Sequence, residues 1–397
     1  MISVTEARAA IVTALAPVGV ESVGVMDALG RVLAADAVAR LSHPAADVSA
    51  MDGYAVRSTE ATAGVTLTVV GTAAAGHPWG GRVGPGQAVR IFTGAHVPAG
   101  ADAIVIQEDT VADGTRVTLN AAATAGRHIR PLGQDFKTGE TVLRPPRRLS
   151  YRDVGLLAAM NLAAVPVFKR PRIGVLSTGD EVVMPGAEVK PGQLASANGP
   201  GLCAFVAHHG ATPVHLGIAR DDTASLTAMS AAATDLDMLV TTGGVSVGDH
   251  DLVARVLGES GLVVNFHKIA MRPGKPLLFG ALKGKPFMGL PGNPVSALVC
   301  ALLFLAPALD RLQGLPGEAP RTQRARLGVG LKANDKREDY LRATLERGAD
   351  GQLIATPYPK QDSSMISALA KADALIIRPP LAPEAKPGEA VEVIVLD

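Results

Sequence analysis

The chain is poor in cysteine, in aromatic residues and in net charge, and each shortage removes a class of protein. Only two cysteines, Cys203 and Cys300, occur in 397 residues. Neither a disulfide-stapled secreted scaffold nor a paired-cysteine zinc site can be built from them. Both lie in apolar stretches of helical pattern and read as buried free thiols. Aromatic residues make up 3% of the chain, with one tryptophan, so the cores must be built from Ala, Val, Leu and Ile. Lys plus Arg number 38 against 37 Asp plus Glu, and without a basic excess no nucleic-acid surface is expected. Residues 1–8 lack the charged-then-apolar pattern of a signal peptide. The most apolar run, 295–309, is broken by Ser296 and Pro307 and falls short of the ~20 residues a membrane span needs. The expectation is a cytoplasmic protein that engages neither membrane nor nucleic acid.

Glycine and proline are abundant instead, at 43 and 28 residues, which implies many turns and short strands. At roughly 150 residues per domain the length predicts two to four domains. Ser3 with Glu6, and Ser150 with Asp153, are capping-box patterns that start helices. Between them, residues 65–70, 88–92, 103–107 and 115–119 are short and rich in Val, Ile and Thr, the pattern of a small β module. From residue 173 to about 312, strands alternate with helices, which predicts a three-layer α/β domain with a mainly parallel sheet. Residues 314–320 read as a linker. Beyond it, 325–329, 340–345, 353–356, 374–378 and 390–396 form a second all-β pattern. The expected fold is multidomain α/β: residues 1–40 with 136–170 as a discontinuous amino-terminal linker domain, 41–135 as an inserted β module, 171–315 as the central domain and 318–397 as a carboxyl-terminal β domain.

Three glycine-rich turns in the central domain carry the functional signal. Ser177-Thr178-Gly179-Asp180-Glu181 follows one apolar strand-like run. Thr242-Gly243-Gly244, continuing through Ser246 and Asp249 to Asp251, follows the next, and Pro291-Gly292-Asn293-Pro294 with Ser296 follows a third. Turns of this kind gather at the carboxyl edge of a parallel sheet, where their amides and the helix starts behind them suit anions. The carboxylates Glu181, Asp221 and Asp251 also follow predicted strands. Beside a phosphate they suit Mg²⁺, which keeps several waters and uses one or two carboxylates; helix capping is the alternative for each alone. Lys268 leads into Met271-Arg272-Pro273-Gly274-Lys275-Pro276, where two prolines and a glycine would hold Arg272 and Lys275 for an oxyanion, unless this is a solvated basic loop. Asp52-Gly53-Tyr54, Thr93-Gly94 and Asp135 read as turn residues. His43, His128, His208, His209 and His250 show no ligand spacing.

The runs TTGGVSVGDHD (241–251), MRPGKP (271–276) and LPGNPVSA (290–297), preceded by DVSAMDGYA (47–55) and RIFTGA (90–95), resemble the MoeA/gephyrin-E family of molybdopterin molybdenumtransferases. The similarity runs in order from near residue 1 to the end. It implies a MogA-like central domain, a carboxyl-terminal β-barrel-like domain and insertion of molybdate into adenylylated molybdopterin with Mg²⁺, releasing AMP. Carried over by position, the substrate would lie on Ser177, Thr178, Gly179, Gly243, Gly244, Ser246, Asp249, Lys268, Pro291, Gly292, Asn293 and Pro294. Molybdate would lie on Arg272, Lys275, Ser296, Arg342 and Ser364, and Mg²⁺ on Glu181, Asp221 and Asp251. Asp52, Thr93 and Asp135 would join those three acids as catalytic residues. Family members often carry Lys where this chain has Arg272. The resemblance further implies a homodimer in which the β module of one subunit lies near the central domain of the other, with the pathway's adenylyltransferase and molybdoenzyme acceptors as candidate partners. The alternatives are the preceding step, adenylylation of molybdopterin, and a gephyrin-like partner-binding scaffold.

Overall fold

The apolar run after Pro171 forms strand β1 (Arg172–Thr178), buried in all but its first residue. Such continuous burial is what a strand covered on both faces requires. The computed structural model describes residues 1–231, 235–244 and 252–396. With β2 (Thr212–Ala219), β3 (Met238–Thr242), β4 (Leu262–Lys268), β5 (Pro276–Leu282) and β6 (Lys285–Leu290), it builds a sheet of order β2-β1-β3-β6-β5-β4. The first four in that order are parallel, and β5 and β4 extend the sheet as antiparallel neighbours. Side chains alternate across it. Ile173, Val175 and Val240 share one core with Leu202, Val206 and Val299, while Leu176 and Leu239 share another with Leu226, Leu257 and Phe287. This is the expected three-layer arrangement.

The apolar run near residue 300 is not interrupted as the sequence suggests. Pro294–Leu312 is helical throughout, with a π-helical turn at Ala301–Leu305. That turn re-registers the backbone so that Pro307 falls in the first turn of the segment Ala306–Leu312, where its missing N–H is not needed. Among the described residues it is the one helix long and apolar enough to cross a membrane, with a mean hydropathy of 1.8, and 78% of it is buried inside the protein. It is a core helix.

The amino-terminal helix Val4–Ala14 begins with the expected capping box: Glu6 N–H donates to Ser3 Oγ at 3.1 Å, and Ser3 N–H donates to Glu6 Oε2 at 2.8 Å. Its Val4, Ala7 and Ile11 are buried in the same core as the Pro294–Leu312 helix. Residues 1–21 therefore belong to a compact unit with 168–397, and residues 22–167 form the other unit. That division differs from the grouping of 1–40 with 136–170, because the buried face of the first helix finds its apolar partners in the central domain.

Five carboxyl-terminal strands, β7 (Thr322–Leu327), β8 (Glu338–Arg347), β9 (Leu353–Pro357), β10 (Ala374–Arg378) and β11 (Ala390–Val395), pair in the order β8-β9-β7-β11-β10. A further β8–β10 pairing closes them into a barrel, which leaves no free edge. In the second unit, strands Ala103–Ile106, Gly53–Val56, Gln87–Ile91, Thr66–Ala73, Arg116–Leu119 and Thr110–Asp113 form a six-stranded sheet in that spatial order. Gly53 is a correction to the sequence reading. It opens a fully buried strand rather than a turn, and a Cβ there would collide with the Val105 carbonyl of the neighbouring strand. The helix Tyr151–Ala159 starts with the second expected capping box and buries Leu157 against Leu33, Phe136 and Val167.

Candidate active site

The carboxyl ends of β1, β3 and β6 lie side by side, so the loops that follow them meet. They enclose a cavity of about 670 Å³ lined by Ser177, Thr178, Gly179, Glu181, Asp221, Gly243, Gly244, Pro291, Gly292, Asn293, Pro294, Ser296 and Ser364. This is the position where open α/β sheets bind ligands. Gly243 has φ +91°, and a Cβ on it would stand 2.5 Å from the Thr178 carbonyl oxygen, so only glycine lets the first two loops approach this closely. At the third loop Asn293 is the N-cap of the helix that Pro294 begins, and its Nδ2 donates to Ser363 Oγ at 2.9 Å. The Val295 N–H donates to the Ser363 carbonyl at 3.1 Å. Those bonds bring the segment with Ser364 to the cavity wall. There Ser364 caps Asp362 through its hydroxyl (2.7 Å) and its N–H (2.8 Å) and holds that carboxyl below the usual range.

Acidic groups gather on one side. The Asp221 N–H donates to Asp180 Oδ1 at 3.2 Å. Burial, and then the neighbouring Asp180 and Glu181 carboxylates, push the Asp221 carboxyl up. Such repulsion marks a place where a cation would be welcome. Among the described residues no group of three or more His, Cys, Asp or Glu side chains is arranged to hold a metal. Glu181 and Asp221 alone still meet the need of Mg²⁺ for one or two carboxylates beside phosphate and water. Ser246, Asp249 and Asp251 lie outside the described residues.

The basic residues are disposed differently. Arg342, on β8, is 1% exposed. Its Nε donates to Gln361 Oε1 at 3.2 Å and its Nη1 to the Met365 carbonyl at 3.2 Å, while burial pushes its pKa down. Arg272, half-exposed, is paired with Asp339 and lies 3.8 Å from Asp335. It lines a separate cavity of about 580 Å³ on the barrel with Asp339, Gln361 and Arg378. Lys268 is exposed at the end of β4 and Lys275 half-buried; neither lines the 670 Å³ cavity.

Asp52, Thr93 and Asp135 belong to the other unit. Asp52 Oδ1 accepts from the Thr93 N–H and from its hydroxyl, both at 2.8 Å. These bonds, the backbone one first, hold the carboxyl below its ordinary value. Arg90 stacks over Tyr54 and Phe92, with its guanidinium carbon 5.1 and 4.7 Å from the ring centroids, and donates to the Gly53 carbonyl. Asp135 is exposed beside Gly94, Arg130 and Gln134 in a recess of about 550 Å³. Sequence reasoning missed Ser196 and Asn198, which also line the central cavity. Their signal was a Ser-x-Asn at a helix start, a pattern that plain capping explains equally well.

Comparison with known proteins matches three successive regions of the chain. Residues 2–161 match the MoeA N-terminal region (domain I and II), 174–311 a probable molybdopterin binding domain and 324–396 the MoeA C-terminal region (domain IV). This chain belongs to the MoeA family. A molybdopterin molybdenumtransferase of Haemophilus influenzae is 35% identical over 382 residues, 95% of this chain and 94% of that protein. Molybdopterin molybdenumtransferase 2 of Mycobacterium tuberculosis is 38% identical over 384 residues, 94% of each. Two solved MoeA proteins of Pyrococcus horikoshii superpose with TM-scores of 0.86 and 0.85 at 33% and 27% identity, each covering 100% of this chain. The MoeA resemblance seen in the motifs, the expected transferase class and the multidomain α/β fold with a closed carboxyl-terminal barrel all stand.

Proposed function

We propose that the chain transfers molybdenum from molybdate to adenylylated molybdopterin, releasing AMP and forming the molybdenum cofactor. The observation that carries this reading is the single cavity into which three glycine-bearing loops, two carboxylates and a helix start converge. The Ser296 amide at the start of the Pro294–Leu312 helix and the Gly244 amide of the turn after β3 would receive the anionic groups of the substrate. Glu181 and Asp221, gathered with Asp180 on one side of the cavity, would hold Mg²⁺, which supplies charge neutralisation at the anhydride. The Ser296 hydroxyl would donate to molybdate, Ser364 would do so on releasing the bond its hydroxyl gives Asp362, and Arg342, on the barrel strand behind them, adds a buried positive charge. Holding two anions together and offsetting their repulsion is a recognised source of rate. Arg272 and Lys275 would join once molybdate draws Arg272 from Asp339.

Asp52, Thr93 and Asp135 fit the same reaction as contributions from a second copy in a homodimer. The support is an ionised Asp52, prepared by two Thr93 donors on a unit of its own. A cytoplasmic setting is in keeping with the free thiols of Cys203 and Cys300. The test is turnover: purified protein with adenylylated molybdopterin, Mg²⁺ and molybdate should release AMP in a molybdate-dependent way and yield active cofactor. Bound substrate without AMP release would refute the assignment.

A further inference from the structure

Four side-chain oxygens around the central cavity have no hydrogen-bond partner among the described residues: Ser177 Oγ, Thr178 Oγ1, Ser196 Oγ and Asn198 Oδ1. Ser177, Thr178 and Ser196 are 2%, 3% and 5% exposed. Native proteins pair roughly 90% or more of their buried polar groups, so a cluster of orphans on one cavity marks where a ligand supplies the missing partners.

The orientation of Asn198 follows from its neighbours. Thr242 Oγ1 gives its one proton to the Pro291 carbonyl at 3.0 Å, which leaves it only lone pairs to offer. The Gly292 carbonyl can only accept. Asn198 contacts both at 2.8 Å, so both contacts demand N–H donors. The amide must therefore place Nδ2 on Thr242 and Gly292 and leave Oδ1 over. That oxygen is an acceptor with no donor, and a phosphate or molybdate oxygen cannot satisfy it.

We propose that Asn198 is a specificity-determining residue of the transferase reaction. Its Nδ2 ties the end of β3 to the loop after β6, and its Oδ1 accepts a hydrogen bond from an N–H of a substrate heterocycle. The proposal rests on the cavity being the adenylylated-molybdopterin site. It divides that cavity by chemistry: backbone amides and helix start for the anions, the Asn198 corner for a ring edge. The hydroxyls of Ser177, Thr178 and Ser196 both donate and accept, which suits the alternating donors and acceptors of a fused nitrogen heterocycle. The substrate carries two such rings, a pterin and an adenine, and both present N–H donors.

The experiment is a binding cycle on the full chain with two probes, 6-hydroxymethylpterin and AMP, each beside a counterpart whose edge N–H donors are all methylated (N3 and the 2-amino group of the pterin, both hydrogens of the N6 amino group of AMP). Asn198→Ala should weaken one unmethylated probe by about tenfold or more. The probe that weakens names the ring. Methylating that probe should cost the wild type a similar factor and cost Asn198→Ala nothing further, a loss of coupling that a purely structural role would not produce. If Asn198→Ala does not fold, the wild type alone decides, since the methylated form of one probe must bind it at least tenfold more weakly. Equal binding of parent and methylated forms for both probes, or no binding of either probe, overturns the proposal. Molybdate-dependent AMP release with no such discrimination removes Asn198 and leaves the reaction; discrimination without AMP release does the reverse.

Discussion

Replacing Gln361 by leucine should release Arg342 from the position the barrel gives it. Gln361 Oε1 accepts from the Arg342 N–H (3.0 Å) and from its Nε (3.2 Å), and Gln361 Nε2 donates to the Arg342 and Tyr358 carbonyls, both at 2.9 Å. Arg342 is 1% exposed, so water cannot readily replace these partners. A hydrogen bond to a charged group contributes about 1.5–3 kcal/mol, and a buried backbone group left unpaired costs about 1–3 kcal/mol. With partial relaxation the net loss in Gln361→Leu should be about 3 kcal/mol, read as a fall in the urea midpoint. If Arg342 serves molybdate, the KM for molybdate should rise at least tenfold while the KM for adenylylated molybdopterin moves less. Gln361→Glu keeps the two acceptor contacts and should lose less of both. A Gln361→Leu protein with the wild-type urea midpoint and an unchanged molybdate KM would refute the reasoning.

Three further outcomes are expected. In Asp221→Asn the carboxyl that burial, Asp180 and Glu181 push up is gone. The folded wild type holds that proton to higher pH than the unfolded chain, so its stability falls as pH rises from the ordinary carboxylate range through the folded value. The variant should lose that slope and be no less stable at neutral pH, yet release no AMP; Mg²⁺ at about ten times its Kd should add about 1.4 kcal/mol to the wild type and nothing to the variant. Thr93→Val removes one of the two donors that hold the Asp52 carboxyl down. The stability Asp52 contributes is present above the ordinary carboxylate pKa and lost as pH falls through the lowered one. An NMR titration should find Asp52 moved back up in Thr93→Val, and an unmoved Asp52 would remove Thr93 as the cause. Gly243→Ala must hold φ +91° with its Cβ 2.5 Å from the Thr178 carbonyl oxygen; it should cost about 2–4 kcal/mol and weaken substrate binding, measured by calorimetry.

The parallel core of the central sheet was legible because its strands, buried on both faces, carry short apolar runs such as 173–176 and 238–240. The three loops were legible for the same reason, since each follows such a run and must surface at one edge. Features that depend on a distant neighbour were not. Gly53 reads as a turn residue until the Val105 carbonyl is beside it, 52 positions along the chain. Arg272 reads as a cation held ready for an anion, whereas Asp339 occupies its guanidinium in the folded chain. Asn198 carries no periodic signal, and its unpaired Oδ1 emerges only when Thr242 and Gly292 are seen to consume both its donors. Pro307 suggested a break that a π turn absorbs.

The apolar core around the Pro294–Leu312 helix has a consequence for how this protein can be divided. It includes Ile11 of the amino-terminal helix, Val240 of the central sheet and Tyr340, Leu375 and Ile394 of the barrel. Three stretches that family comparison treats as successive regions thus share one interior. Cutting the chain at residues 314–320 would strip the barrel side chains from that interior and expose the back of the helix whose first turn lines the active cavity. The barrel is then poorly suited to exchange between relatives as a cassette, and a lesion in its β8 or β10 strand should be felt at the loops around the central cavity as a loss of order. Here the unit that inheritance can recombine freely is larger than the unit that sequence similarity outlines.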